Sequence, residues 1–111
     1  MIDETLALEI TPQDVDLLRR EGKPLAILDV RETWETAICA IEGSTLIPLS
    51  TLPSNLEQLP QGIPLVVVCH HGMRSMQAVM WLRQQGFENA INLQGGVAAW
   101  AQCVDPAMAT Y

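Results

Sequence analysis

The sequence predicts a single α/β domain in which helices cover both faces of a mainly parallel, five-stranded sheet. Short apolar segments alternate with helical ones along the chain. The strand candidates, such as "LVVVC", are unbroken apolar runs, which is typical of strands buried on both faces. The chain has 111 residues, enough for one hydrophobic core but too few for two. These three observations favour a three-layer α/β/α sandwich.

The first half of the chain contains three strand candidates and two helix candidates. Thr11 is placed to cap a helix, Pro12 suits its first turn, and Asp14 lies near the positive end of the helix dipole. Gly22 is a suitable end for that helix. The predicted elements are a strand at 6–10, a helix at 11–22, a strand at 25–30, a short helix at 32–38 and a strand at 44–49.

The second half contains the strand and the helix with the clearest sequence patterns. Three consecutive valines favour an extended strand because β-branched side chains restrict χ1. The predicted elements are a loose helical turn at 52–60, a strand at 63–69, a helix at 75–86, a strand at 90–93 and a short helix around 97–101. We expect a single domain of residues 1–111. Its folded core extends from about residue 8 to residue 101, and residues 103–111 form a peripheral tail.

Composition excludes several classes of protein. Thirteen acidic and six basic side chains give a net charge of −7, which argues against binding to nucleic acid. No apolar run approaches the roughly 18 to 20 residues that cross a bilayer, so no membrane association is expected. The first ten residues lack the basic flank of a secretory signal. Three widely spaced cysteines favour a reducing compartment, so we expect a cytoplasmic protein.

The segment "VVVCHHGMRS" has the chemistry of a nucleophilic site. Cys69 ends an apolar strand, and a helix begins a few residues later. Unpaired backbone N–H groups and the dipole at a helix start attract negative charge. Arg74 adds a permanent positive charge, and Gly72 lets the backbone bend. Each of these features favours a reactive thiolate at Cys69.

This segment has two other interpretations. A cysteine that follows a valine run is often a small buried hydrophobe, and we interpret Cys39 and Cys103 in this way. A metal site at Cys69, His70 and His71 is disfavoured because adjacent residues in a tight loop point in different directions, and no second ligand pair appears. We therefore predict neither a metal nor a cofactor. The two histidines either tune local charge or are simply solvated.

Four segments in their order along the chain resemble a single-domain rhodanese, a sulfurtransferase. They are "LDVRETWE", "IEGSTLIPLS", "VVVCHHGMRS" and "ENAINLQGGVAAW". The similarity extends from about residue 8 to residue 101. Asp29 and Arg31 before the cysteine loop, and Gly95 and Gly96 after it, make the resemblance more specific than the loop alone. It implies a rhodanese-like α/β/α sandwich around a five-stranded parallel sheet.

The resemblance also implies an activity and a set of site residues. Cys69 matches the catalytic cysteine, which takes a sulfane sulfur from a small anionic donor such as thiosulfate and passes it to cyanide, a thiol or a protein acceptor. The matching substrate-binding loop is formed by His70, His71, Gly72, Met73, Arg74 and Ser75. Asp29 and Arg31 match a strand-end pair, to which we assign structural support. A family member of this size is expected to be a monomer.

The partner of Arg31 is left open by the sequence, with Glu35 as one candidate carboxylate. Two departures from the family pattern bear on the substrate. Cys39 and Ala40 stand where many members have glycine and histidine, and Met73 is neutral where a cation would favour thiosulfate. Both departures weaken thiosulfate as the physiological donor.

Two rival functions remain. Cysteine phosphatases and arsenate reductases on a related scaffold use a C-x5-R loop, whereas Arg74 gives C-x4-R, a loop better sized for one sulfur atom than for a phosphoryl group. A docking module or a sulfur carrier is the other alternative. Non-catalytic modules often lose the cysteine, which this chain retains.

Overall fold

The computed structural model describes residues 7–111, which form a five-stranded sheet with helices on both faces. The strand order is β1-β5-β4-β2-β3, and every pairing among the described strands is parallel. The strands are β1 (Glu9–Ile10), β2 (Ala26–Asp29), β3 (Thr45–Leu46), β4 (Leu65–Val68) and β5 (Ala90–Leu93). The predicted fold class is therefore confirmed. Residue 6 of the predicted first strand lies outside the described residues.

The four α-helices begin and end close to the predicted positions. They are α1 (Pro12–Arg20), α2 (Thr33–Ile38), α3 (Met73–Gln84) and α4 (Gly96–Cys103). The Thr11 hydroxyl accepts a hydrogen bond of 3.2 Å from the N–H of Asp14, as the capping pattern predicts. None of the helices in residues 7–111 has both the length and the apolar character that crossing a membrane requires.

Side chains of β4 point alternately to the two faces of the sheet, and helices cover both faces. Val66 and Val68 point to one face of the sheet, where they pack in a core with residues of α1 and α4. Leu65, Val67 and Cys69 point to the other face, where α3 covers them. Because side chains alternate along a strand, Cys69 must face the layer that contains α3. The register of β4 therefore directs the thiol toward the start of that helix.

The segment after β3 differs from the prediction. The strand expected at 44–49 is reduced to two residues, and a 3-10 segment follows over Leu49–Gln58 in place of the shorter turn expected at 52–60. The N–H groups of Ile47 and Leu49 still donate to the carbonyls of Asp29 and Val30, and Pro48 between them begins the 3-10 segment as its N-cap. This edge of the sheet ends early, and the 3-10 segment packs Leu52 against the core on the α3 side.

Candidate active site

The candidate site lies at the carboxyl end of β4, where the chain turns into α3. Cys69 follows the last residue of the strand, and Gly72 precedes the first residue of the helix. Gly72 adopts φ = 101°, a conformation that glycine adopts without strain. This sharp turn folds residues 70–72 back over the cysteine. The loop therefore occupies the position in which open α/β sheets bind ligands.

The sulfur of Cys69 faces the loop although the residue is only 1% exposed. The Gly72 N–H donates a hydrogen bond of 3.1 Å to Sγ, and the hydroxyl oxygen of Ser75 lies 3.2 Å from the same atom. Cys69 is thus buried without facing away from its loop. Among the described residues, Gly72 supplies the one backbone N–H that bonds this sulfur.

Asn92 of β5 holds the loop from behind. Its amide nitrogen donates to the Gly72 carbonyl and to Oε2 of Glu9, each at a distance of 3.1 Å. Its Oδ1 is hydrogen-bonded to the Ser75 hydroxyl. Asn92 and Ser75 are 1% and 0% exposed. The sulfur therefore belongs to a buried set of uncharged hydrogen-bonding groups, Cys69, Ser75 and Asn92, which we call the neutral chain.

Arg74 does not direct its charge toward the sulfur alone. Its two terminal nitrogens each bind one oxygen of Glu35 at 2.8 Å, a bidentate ion pair. The Arg74 side chain is 38% exposed, whereas that of Glu35 is 4% exposed. These hydrogen bonds from Arg74 lower the pKa of Glu35 to about 2, against the effect of burial. Arg74 therefore anchors the loop to α2, and its positive charge is largely neutralised.

The buried guanidinium of Arg31 pairs with Asp29, not with Glu35. Its Nε and Nη2 atoms contact the Asp29 carboxylate, the shortest distance being 2.7 Å, and the Arg31 backbone N–H donates to the same carboxylate. Burial lowers the pKa of Arg31, but the hydrogen bonds to Asp29, Tyr111 and Cys39, together with the charge of Asp29, outweigh burial and raise that pKa above its ordinary value. The remaining Arg31 contacts include the Cys39 carbonyl at 2.7 Å and Cys39 Sγ at 3.7 Å.

Tyr111 joins the two ion pairs, although a peripheral tail was expected at 103–111. Its hydroxyl accepts a hydrogen bond of 3.0 Å from Arg31 Nη1 and donates one of 2.8 Å to Glu35 Oε1. Burial raises the pKa of Tyr111, and the hydrogen bond from Arg31 partly offsets that rise. The expectation of a wholly peripheral tail is therefore wrong for this residue. We call Asp29, Arg31, Tyr111, Glu35 and Arg74 the ionic network.

The two loop histidines lie in an aromatic stack beside the ionic network. The ring of His70 lies between those of His71 and Tyr111, with a centroid distance of 3.9 Å on each side. Trp34 meets Tyr111 edge-on at 5.9 Å. Burial and then the neighbouring His71 lower the pKa of His70, so its neutral form is favoured. His70 therefore packs against Tyr111, whereas His71 is exposed.

The start of α4 supports the loop backbone directly. The N–H groups of Val97 and Ala98 donate to the carbonyls of Cys69 and His70 at 2.9 and 3.1 Å. This approach is possible because Gly96 has no side chain: a Cβ there would lie 2.4 Å from the Cys69 oxygen. The sequence suggested only a tight turn at Gly95 and Gly96, so this close packing is an additional function of the pair.

Met73 and Cys103 contribute little to this arrangement. Met73 is 79% exposed at the first position of α3. Cys103 is exposed at the end of α4, so its interpretation as a small buried hydrophobe is wrong. Within residues 7–111, no group of three or more histidine, cysteine or acidic side chains is arranged to hold a metal ion.

Asn92, Glu35 and Tyr111 are the site residues that sequence reasoning missed. A polar residue inside the buried strand "AINL" was an available signal for Asn92, because such a group needs internal hydrogen bonds. Glu35 was considered only as a partner for Arg31. Nothing in the local sequence indicated that Tyr111 returns to a site 76 residues earlier.

Comparisons with known proteins agree with this geometry. Residues 11–103 match the model of the rhodanese-like domain. A probable adenylyltransferase/sulfurtransferase, MoeZ of Mycobacterium tuberculosis, is 39% identical over 92% of this chain, and the match spans only 26% of that longer protein. The thiosulfate sulfurtransferase GlpE of Pseudomonas aeruginosa is 34% identical, and the match covers 82% of this chain and 81% of GlpE.

A solved structure has the same fold. The rhodanese-like domain protein of Staphylococcus aureus superposes with a TM-score of 0.81 at 34% sequence identity. The superposition covers 94% of this chain and 98% of the Staphylococcus aureus chain. The family match, which includes the loop, the supporting strand ends and the start of α4, shows that this chain belongs to the rhodanese-like sulfurtransferase family.

Proposed function

We propose that this protein transfers a sulfane sulfur by way of a persulfide on Cys69. The observation that carries the proposal is the position of Sγ, which accepts a hydrogen bond from the Gly72 N–H at the start of α3. A donor at that position stabilises negative charge on sulfur. The sulfurtransferase names of relatives such as GlpE support the same chemistry.

The proposed reaction has two displacements. The Cys69 thiolate attacks the outer sulfur of a donor such as thiosulfate, the sulfur–sulfur bond of the donor breaks, and sulfite leaves with the bonding electrons. The acceptor, cyanide or a thiolate, then attacks the outer sulfur of the persulfide, and Cys69 leaves as a thiolate. Covalent catalysis of this kind divides one difficult transfer into two easier steps. Neither displacement itself requires a proton transfer, so we assign no general base to His70 or His71.

The burial of Cys69 adds a requirement to the proposal. A side chain that is 1% exposed meets a donor only after the loop residues above it move. The loop is attached to α2 through Arg74 and Glu35 and to β5 through Asn92. These attachments would return the loop to one geometry after each transfer, which favours reproducible positioning of the outer sulfur.

The mass of the intact protein after exposure to thiosulfate or polysulfide tests the proposal. We expect the wild type to gain one sulfur atom that cyanide removes. The Cys69→Ser variant should gain none. Cys103→Ser should behave like the wild type because Cys103 is the last residue of α4, whereas the loop is contacted by the start of that helix. Using two donors also tests the expectation, based on Met73, that thiosulfate is not the preferred donor.

Sulfur bound at Cys39 or Cys103, or no bound sulfur with either donor, would contradict the proposal. Phosphatase activity is disfavoured because Glu35 already occupies both terminal nitrogens of Arg74, which a phosphoryl group would need. Turnover of p-nitrophenyl phosphate that depends on Cys69 would reverse that conclusion. A Cys69→Ser variant with full activity in cells would favour the docking module.

A further inference from the structure

The amide of Asn92 has a fixed orientation. Its nitrogen carries two hydrogens and lies 3.1 Å from each of two oxygens, the Glu9 carboxylate and the Gly72 carbonyl, which act only as acceptors. Rotating the amide by half a turn would place oxygen against oxygen at both contacts. The Asn92 oxygen must therefore face Ser75, and as a carbonyl oxygen it can only accept.

This orientation determines where the single hydroxyl hydrogen of Ser75 points. The hydroxyl is hydrogen-bonded to Asn92 Oδ1, and only Ser75 can donate in that pair. Its oxygen therefore presents lone pairs to Cys69 Sγ, which lies 3.2 Å away. A hydrogen bond between these two atoms then requires the hydrogen of the thiol. These two contacts are therefore compatible with a hydrogen on the Cys69 sulfur.

We propose that Asn92 is a positioning residue that turns the Ser75 hydroxyl away from Cys69 and so keeps the resting cysteine as a thiol. When Cys69 loses its proton, no hydrogen remains between Sγ and the Ser75 oxygen. The hydroxyl must then rotate toward the sulfur, which leaves a buried Asn92 oxygen without its donor. Ionisation of Cys69 and rotation of Ser75 are therefore coupled. The inference deepens the proposed function, on which its role in sulfur transfer rests.

The charged groups around the loop do not explain this coupling. Arg74 of α3 is paired with Glu35 of α2, and Glu9 of β1 contacts the far side of Asn92. The titratable side chains of the loop itself are His70 and His71, which stack on each other. All five groups are retained in the variants below. Asn92→Leu also removes the hydrogen bonds to the Gly72 carbonyl and the Glu9 carboxylate, so the direction of the hydroxyl is isolated by making Ser75→Ala with and without Asn92.

A double-mutant cycle with Asn92→Leu and Ser75→Ala tests the proposal. The readouts are the ultraviolet absorbance of the Cys69 thiolate, taken relative to the same protein with Cys69→Ser, and the rate of iodoacetamide alkylation of Cys69 at neutral pH. Asn92→Leu frees the hydroxyl to donate to sulfur, so we expect about a tenfold gain in the ratio of thiolate to thiol, the effect of one net hydrogen bond.

The effect of Ser75→Ala should reverse between the two backgrounds. Alone, it removes the acceptor of the thiol hydrogen, so the thiolate fraction should rise. Combined with Asn92→Leu, it removes the donor to the thiolate, so the fraction should fall. Loosened packing would change both backgrounds in the same direction, and that result would overturn the proposal. If Asn92→Leu does not fold, a fall in thiolate on Ser75→Ala alone would overturn it, because Ser75 would then be a donor.

These outcomes are independent of sulfur transfer. A protein that shows the reversal but binds no sulfur from thiosulfate or polysulfide would contradict the proposed function and retain the role of Asn92. A protein that forms the persulfide and shows no reversal would retain the function and remove the role of Asn92.

Discussion

The two ends of the segment 69–75 are held by different kinds of interaction. At the cysteine end, the neutral chain of Cys69, Ser75 and Asn92 is almost fully buried and uses uncharged donors and acceptors around the sulfur. At the arginine end, the ionic network ties Arg74 to Glu35 and, through Tyr111, to Arg31. A buried charge requires strict pairing, whereas a neutral hydroxyl can turn to another acceptor and leave one neutral group unsatisfied, at a cost of about 1–3 kcal/mol. The difference suggests that the ionic network fixes the loop and the neutral chain adjusts the sulfur.

The largest expected effect comes from disturbing the support that α4 gives to the cysteine end of this segment. Gly96→Ala would place a Cβ 2.4 Å from the Cys69 oxygen and 2.5 Å from the His70 oxygen, so either the loop or α4 must move. We expect a loss of more than about 3 kcal/mol in the free energy of unfolding, which is typical of overpacking at a strained position. Urea unfolding followed by circular dichroism measures this loss.

Gly22→Ala is the matched control for this change. Gly22 has φ = 71°, close to the 62° of Gly96, but a Cβ at Gly22 would meet nothing within 4 Å. The control should therefore cost only the backbone strain, about 1 kcal/mol. Equal losses in the two variants would show that α4 does not press on the loop as described.

Local sequence determined the elements, whereas the networks depend on tertiary structure. The valines of β4 and the Thr11 cap act on neighbouring residues, so these elements could be read from the sequence. The ion pair between Arg74 and Glu35 depends on the relative positions of α2 and α3, which no local sequence pattern predicts. The family resemblance predicted Cys69 and its loop as the site but not the contact between Ser75 and Asn92.

A smaller expected effect is a loss of stability at low pH, which the ionic network produces through Glu35. The pKa of Glu35 falls from its ordinary 4.5 to about 2 because Arg74 binds the carboxylate. Its contribution to stability is therefore complete above pH 4.5 and disappears as the pH falls through about 2. We expect the wild type to lose an advantage of about 2 kcal/mol over Glu35→Gln across this interval, a value reduced for the partial exposure of Arg74.

The Arg74→Met background provides the control for this pH dependence. Without the guanidinium, burial favours the protonated carboxyl, so the advantage of Glu35 over the Glu35→Gln change should vanish or reverse. Urea midpoints at a series of pH values measure both comparisons. An advantage that persists unchanged in the Arg74→Met background would mean that the ion pair is not its source.

The smallest expected effect is a shift in the titration of Tyr111, the residue that joins the two ion pairs. Tyr111 is the single tyrosine of the chain, so the absorbance of tyrosinate reports this side chain alone. Burial raises the pKa of Tyr111 above the ordinary 10.0, and its hydrogen bond to Glu35 raises it further. We therefore expect the native protein to titrate at a higher pH than the urea-unfolded chain, and Glu35→Gln to reduce that difference. Circular dichroism at each pH identifies the range in which the protein remains folded. A native titration midpoint equal to that of the unfolded chain would place Tyr111 in solvent, and the ionic network would then divide into two separate pairs.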